Sequence, residues 1–371
     1  MTIGQQGIFN SNLYSEYETP GIATRFHLPH CGDSWYKSLV SDAQKPSPPK
    51  RIAELIQSIR DATDKLAVDR TSRGDLKILS RTLRELRYAF KVFSAYRHIR
   101  KVTVFGSART LPGEPAYQQA ARFGQAMADR DWLVVTGAAS GIMEAGHVGA
   151  GRDHSMGLNI LLPFEQDANP IIAGDRKLVH MKYFFTRKLM FVKESDAFCL
   201  MPGGFGTLDE GLEVLTLLQT GKHDMMPVVL LDEPGGDYWA AFDQFVRGRL
   251  LDRGMIGEED MALYRLTDRV EDAVEEILRF YRVYHSMRYV HTNLVFRLQR
   301  PLDDALLDEI NAGFADILIE GKFALGEALA EERHESDLAE MPRLIFHFNR
   351  RNFGRLRQLI DRINEGLGIG D

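Results

Sequence analysis

The spacing of apolar positions changes character three times along the chain. Residues 1–48 are polar, with a Pro-x-Pro-Pro cluster at Pro46 to Pro49, and read as an irregular arm. From Arg51 to about Arg97 the period is helical: Ile52, Leu55, Ile56 and Ile59 fall at i, i+3, i+4 and i+7, and Leu83, Leu86, Phe90 and Phe93 continue the style. Two helices are expected there, broken near Asp69 to Gly74. The basic residues of the second, Arg81, Arg84, Arg87 and Lys91, read as a solvated face.

From Lys101 onward, short apolar runs alternate with helical patterns. Strands are expected at Lys101–Phe105, Trp132–Thr136, Met156–Leu162, Leu178–Tyr183, Ala197–Met201 and Pro227–Leu231, with helices such as Tyr117–Arg130 and Gly141–Gly151 between them. Such alternation argues for a parallel sheet covered on both faces. Ligands of such sheets bind at the carboxyl ends of the strands, where the glycine loops of this chain fall.

After about Val283 the pattern changes again and repeats itself. Asn293-Leu-Val-Phe-Arg-Leu-Gln-Arg300 lines up with Arg343-Leu-Ile-Phe-His-Phe-Asn-Arg350 at a spacing of 50, and the match continues through Leu306/Leu356 and Ile310/Ile360. Each copy reads strand then helix, with a further strand expected at Phe323–Ala328, so a small ferredoxin-like or related α+β domain is expected. The fold class is therefore α/β: a doubly wound, Rossmann-like parallel sheet over residues 98–282, preceded by an arm and helical extension at 1–97 and followed by an α+β domain at 283–371.

Composition narrows the class without choosing a chemistry. A hydrophobic share of 44%, a charged share of 26% and a net charge of −6 describe an ordinary globular protein without the footprint of a nucleic-acid binder. With Cys31 and Cys199 the only cysteines, no disulfide framework is expected, and a reducing cytoplasm is the expected location. The sequence carries no signal-peptide pattern and no apolar run of membrane-spanning length, so no membrane partner is expected.

The chemistry concentrates in Met201-Pro-Gly-Gly-Phe-Gly-Thr-Leu-Asp-Glu210, between an apolar run and an amphipathic one. A strand that ends in glycines and feeds a helix turns free backbone N–H groups and a positive dipole end toward its mouth, which favours a phosphate. Gly203, Gly204 and Gly206 let the backbone approach an anion, and Thr207 supplies a hydroxyl. Thr207-x-x-Glu210 equally fits a capping box, in which both side chains satisfy helical N–H groups.

Other readings of the glycine loops fit less well. Thr136-Gly-Ala-Ala-Ser-Gly-Ile-Met143 nearly spells a short-chain dehydrogenase loop, but it follows the second strand, ends on Met143, and has no Tyr-x-x-x-Lys anywhere to accompany it. Neither the dinucleotide nor the Walker glycine pattern occurs, and the 11 histidines are scattered without metal-ligand spacing, so no metal and no cofactor is expected.

Upstream, Tyr183-Phe-Phe-Thr-Arg-Lys-Leu-Met190 places Arg187 23 residues before Glu210. With Pro-Gly-Gly-Phe-Gly-Thr-x-x-Glu, this Arg-Lys pair resembles the LOG (Lonely Guy) family of nucleotide phosphoribohydrolases, often labelled lysine decarboxylases. Val102-Thr-Val-Phe-Gly-Ser-Ala-Arg109 is similar to the family's first strand and Gly-Ser loop, and Thr136 to Ala145 to its second glycine loop, which is usually richer in glycine. The resemblance covers roughly residues 98–282. Phe184 and Phe185 stand where many members carry Met-His, so the base is not fixed by it.

The resemblance implies N-glycosidic cleavage of a nucleoside 5′-monophosphate, AMP or a relative, to free base and ribose 5-phosphate. Such a reaction builds positive charge on the ribose and needs a carboxylate near C1′, a water, and a grip on the phosphate. Glu210 is the expected carboxylate and, by resemblance, Arg187 its catalytic partner. The backbone of Gly203, Gly204, Gly206 and Thr207 is expected to cradle the phosphate, with Gly106, Ser107, Arg109, Gly141, Glu144 and Lys188 completing the binding site. The alternative is a non-catalytic nucleotide or phosphate-ligand sensor or carrier of the same fold, which needs the glycine loop but not the acid. Lysine decarboxylation is not expected, since nothing identifies a pyridoxal-binding lysine. A homodimer or larger homo-oligomer is implied by the resemblance, and the apolar helical face of Leu212, Val214, Leu215 and Leu218 offers surface for it.

Overall fold

The structure is a computed structural model in which residues 50–161, 168–332 and 335–366 are described. The arm at 1–48, Cys31 and the expected strand end at Leu162 lie outside the described residues. Met1–Thr71 and Ser72–Asp371 are separate compact units. In the first, α1 (Lys50–Val68) carries its apolar stripe of Ile52, Leu55, Ile56 and Ile59 exposed. The second begins with α2 (Arg73–Ser94), capped by Ser72, whose hydroxyl accepts the Asp75 N–H at 3.2 Å.

Seven parallel strands follow: β1 (Lys101–Phe105), β2 (Leu133–Thr136), β3 (Ser155–Ile160), β4 (Leu178–Met181), β5 (Ala197–Leu200), β6 (Val228–Leu231) and β7 (Arg265–Thr267). They lie in the order β4-β3-β2-β1-β5-β6-β7. The connecting helices are α3 (Pro115–Ala128), α4 (Ile142–Ala150), α5 (Phe184–Glu194), α6 (Phe205–Gln219), α7 (Tyr238–Phe245, continued by a π-helical turn at Val246–Leu251) and α8 (Val270–Phe280). Because both sheet faces are covered, the central strands β1, β2, β5 and β6 are buried at every position yet sort their side chains alternately. Val102, Val104, Val134, Ala197, Cys199, Val229 and Leu231 join one core with α3, α4 and α8. Phe105, Leu133, Val135, Phe198, Leu200, Val228 and Leu230 join the other. That period of two is hidden in the sequence by its near-continuous hydrophobicity.

The second core continues without a break into a four-stranded antiparallel sheet in the order β10-β11-β9-β8, made by β8 (Tyr284–Val290), β9 (Asn293–Leu298), β10 (Leu318–Gly326) and β11 (Arg343–Phe348). Its helices are α9 (Asp304–Gly313) and α10 (Phe353–Glu365). The connectivity is that of a ferredoxin-like unit with its last strand moved to the front. The 50-residue repeat appears as a local two-fold: Val295 faces its own repeat mate Ile345 across β9 and β11, while Leu294 faces Phe346 and Phe296 faces Leu344. No helix among the described residues is long and apolar enough to cross a membrane.

Candidate active site

The strand order reverses direction between β1 and β5, and the loops leaving these two strands meet there. Such a reversal opens a crevice at the carboxyl edge of the sheet, because the following helices leave to opposite faces. Ser107 N–H donates to the Pro202 carbonyl at 3.0 Å, and Ile142 N–H donates to the Ser107 carbonyl at 3.0 Å. Three glycine loops, after β1, β2 and β5, are thus joined edge to edge. The joints are tight: a Cβ on Gly106 would lie 2.6 Å from the Ile142 side chain, and one on Gly203 2.2 Å from the Thr207 hydroxyl. Gly141, at φ +68°, sits against the Ser107 carbonyl in the left-handed region that glycine alone takes freely.

Helix α6 starts at Phe205 with Gly204 as its cap and no side-chain cap. Thr207 and Glu210 therefore lie inside the helix, and the capping-box reading does not hold: the cap falls three residues earlier than that motif requires. The Thr207 N–H, expected to help cradle a phosphate, instead donates to the Gly204 carbonyl at 3.1 Å, while the N–H groups ahead of it have no intrahelical carbonyl to bond. Gly204 and Gly206 border open space, and Phe205 between them is 93% exposed.

Glu210 faces inward from the second turn of α6 and is 4% exposed. Its Oε2 is buried without a hydrogen-bond partner, and Lys188 Nζ stands 3.8 Å from it. Burial pushes its carboxyl up to about 7 against the opposing pull of Lys188 and Arg187. Lys188 is held among carboxylates of α6, at 2.6 Å from Glu213 and 3.0 Å from Asp209, which fastens α5 to α6. One position earlier, Arg187 turns toward the second glycine loop, where a Cβ on Gly137 would come within 3.2 Å of its Nη2. Its guanidinium lies 5.3 Å from the Phe191 ring and 5.9 Å from that of Phe184. Arg187, Glu210 and the three loops thus come together around one mouth. Lys188 points into the α5–α6 seam instead. A separate cleft of about 610 Å³ beyond that seam, lined by Phe185, Lys188, Glu213, His223 and Tyr289, reaches neither Glu210 nor the glycine loops.

Arg109 is exposed, its N–H donating to the Ser107 hydroxyl at 3.1 Å. Glu144 is half-buried in the first turn of α4, on the side that faces Tyr117 of α3, whose hydroxyl it helps burial to push up.

Comparison with known proteins places this architecture. A family model described as "Possible lysine decarboxylase" matches residues 136–277. A cytokinin riboside 5′-monophosphate phosphoribohydrolase of Mycobacterium tuberculosis is 31% identical over 166 residues, covering 42% of this chain and 81% of that protein. The chain belongs to the LOG family. A probable enzyme of the same name from Arabidopsis thaliana is 40% identical over 118 residues, 31% of this chain and 55% of its own. Among solved structures, the molybdenum cofactor carrier protein of Chlamydomonas reinhardtii has a TM-score of 0.35 at 19% identity, covering 49% of this chain and 97% of its own. The molybdenum cofactor binding protein of Rippkaea orientalis has a TM-score of 0.33 at 20% identity, covering 48% and 93%. Likeness at that level carries no information about activity.

Several groups that shape this LOG-family site carry no motif. Tyr238, at the start of α7, donates its hydroxyl to the Gly203 carbonyl at 2.7 Å. In the second glycine loop, Ala138 takes φ +58°, a left-handed conformation unusual for alanine. It is held there by its N–H bond to Thr136 Oγ1 at 2.9 Å and by Asn169, whose N–H donates to the Ala138 carbonyl at 2.8 Å. His147 braces the same loop from below, 2.9 Å from the Met156 carbonyl and 3.1 Å from Thr136 Oγ1, and burial pushes its imidazole down to about 4, so it is neutral. His147 lies one helical turn after Met143 on the same face of α4, and no motif marks it.

Proposed function

We propose that this protein hydrolyses the N-glycosidic bond of a nucleoside 5′-monophosphate, giving free base and ribose 5-phosphate. The observation that carries the reading is a buried carboxylate, Glu210, in the second turn of a helix whose glycine-rich start is open to solvent. A phosphate on the N–H groups of Gly204, Phe205 and Gly206 fixes the ribose over Glu210. As the glycosidic bond breaks, the ionised carboxylate stabilises the oxocarbenium charge and orients the attacking water. Arg187 reaches the phosphate or the ribose hydroxyls from the other wall, a task suited to its planar pair of donors. Gly106, Ser107, Gly141 and Arg109 border the same mouth, with Glu144 behind it.

A carrier of the same fold has no use for a carboxylate held near neutrality in a desolvated pocket, which favours the enzyme. Decarboxylation of lysine fits poorly for a local reason. A Schiff-base lysine must give up its proton readily, whereas Lys188, although burial works the other way, is raised above its ordinary value by hydrogen bonds to Glu213 and Asp209 and by the charge of Glu210.

The same reading includes a homodimer. Of the apolar residues expected to face a partner, Val214 and Leu218 are in the core and Leu215 is half-buried, leaving Leu212 exposed. Exposed Phe184, Phe185 and Leu189 of α5 and Phe205 of α6 add apolar surface on these two helices. The test of function is a panel of nucleoside 5′-monophosphates followed by chromatography of released base, with each nucleoside alongside. AMP or another monophosphate is expected to be cleaved with kcat/KM at least about 100-fold above its nucleoside, since the phosphate grip is spent on orienting the sugar. Equal values for the two, or no base released from any monophosphate, refute the reading.

A further inference from the structure

The family model begins at residue 136, well after α2, yet α2 reaches the start of α5. Glu85 lies in its middle and is 5% exposed. Its Oε1 accepts the Lys182 backbone N–H at 2.9 Å and the Arg81 Nε–H at 2.7 Å, and its Oε2 lies 2.9 Å from the Thr186 hydroxyl. Lys182 and Thr186 bracket the start of α5, which has Tyr183 as its cap and no side-chain cap of its own. The carboxylate thus does from another helix what a capping residue does locally: it takes up donors at the positive end of α5 and complements its dipole. Arg81 in turn neutralises Glu85, so one of the basic residues expected to form a solvated face has an inward role.

Thr186 immediately precedes Arg187, and Arg187 N–H bonds the Tyr183 carbonyl at 3.3 Å within the same first turn. The rotation of that turn decides whether the Arg187 guanidinium lies against Gly137 or swings toward solvent. We propose that Glu85 is a positioning residue for Arg187, acting through the first turn of α5, so that α2 is an integral part of the catalytic site. The proposal rests on the function inferred above. The buried Thr186 hydroxyl lies between the Tyr183 carbonyl at 2.8 Å and Glu85 Oε2 at 2.9 Å, joining Glu85 to that first turn.

The experiment compares Glu85→Ala with wild type in two backgrounds, native and Arg187→Ala, in the full chain and well below the melting temperature. Losing the cap is expected to lower kcat/KM on the order of 10-fold to 100-fold in the native background, the scale of a small misplacement of a catalytic group. In the Arg187→Ala background the same substitution is expected to cost almost nothing, because the group it positions is gone. A substitution that merely weakens the fold lowers activity equally in both backgrounds, and that outcome overturns the proposal. Hydrogen exchange supplies a readout independent of turnover: amides over 182–190 are expected to exchange faster in Glu85→Ala while β1 and β5 stay protected. Unchanged exchange there also overturns the proposal. If the wild-type chain cleaves no monophosphate, the inferred function fails by itself, and the exchange result still decides whether Glu85 holds α5.

Discussion

Replacing Glu210 by glutamine separates chemistry from stability, and the two effects have opposite signs. The side chain is buried and its carboxyl is raised from an ordinary 4.5 to about 7. The native state therefore holds this proton more tightly than the unfolded chain does. Below about pH 4.5 both states are protonated and ionisation has no effect on stability. Between 4.5 and about 7 the unfolded chain loses the proton first, so stability falls as pH rises, and above about 7 the full penalty is present. At about 1.36 kcal/mol per pH unit the penalty is roughly 3 kcal/mol, an upper figure because a buried site relaxes around a charge. Glutamine keeps the shape and never ionises. Glu210→Gln is thus expected to be more stable than wild type by up to about 3 kcal/mol at pH 8, with the gap closing toward pH 5. Its turnover is expected to drop by about 10² or more, since the charge that faces the developing cation is lost. Wild-type activity is expected to rise with pH through about 7, as the carboxylate ionises. Urea denaturation of both proteins from pH 5 to 8.5, with monophosphate cleavage over the same range, measures all of this. A stability difference that does not vary with pH, or a variant that cleaves at the wild-type rate, refutes the reasoning; a variant destabilised at every pH makes Glu210 a structural group.

Three further outcomes test other parts of the site and fold. Gly137→Ala puts a Cβ 2.9 Å from Met143 Sδ and 3.2 Å from Arg187 Nη2, and is expected to lower kcat about 10-fold with little change in melting temperature; a normal kcat would mean that Arg187 works from elsewhere. Gly221→Ala, at φ +64° with a Cβ only 1.9 Å from the Phe353 ring of α10, is expected to destabilise the chain by more than about 2 kcal/mol in urea, and a neutral result would detach α10 from the end of α6. Light scattering of the full chain is expected to give at least a dimer, and Phe185→Asp together with Leu189→Asp to weaken it; a fully active monomer refutes that assembly.

What the sequence determined by itself was whatever local periodicity and short motifs encode. The short runs at Lys101–Phe105 and Ala197–Leu200 are mainly apolar because the sheet is buried on both faces, and every residue in them is buried. The 50-residue repeat fixed β9, β11 and the helices after them, since the same pattern written twice folds twice. Two strands escaped that reading. β7 is three residues long and only half-buried at the sheet edge, and β8 follows α8 with charged and polar residues on its open face, so neither carries an apolar run.

The glycine loops and the Arg187–Glu210 pair are visible in the sequence as short motifs, and the fold brings them to one mouth. Their electrostatics are not visible in the sequence. Whether Glu210 titrates near 4.5 or near 7 depends on how completely the sheet and α5 exclude water from it, and sequence distance says nothing of that. Lys188 lies beside Arg187 in the chain, yet the 100° turn between neighbours on a helix sends one to the carboxylates of α6 and the other to the glycine loop. Glu85 lies 102 residues before Arg187 in the sequence and meets its helix only because α2 packs across the start of α5. Such long-range meetings are decided by tertiary packing, because a buried donor accepts whichever partner the fold brings to it.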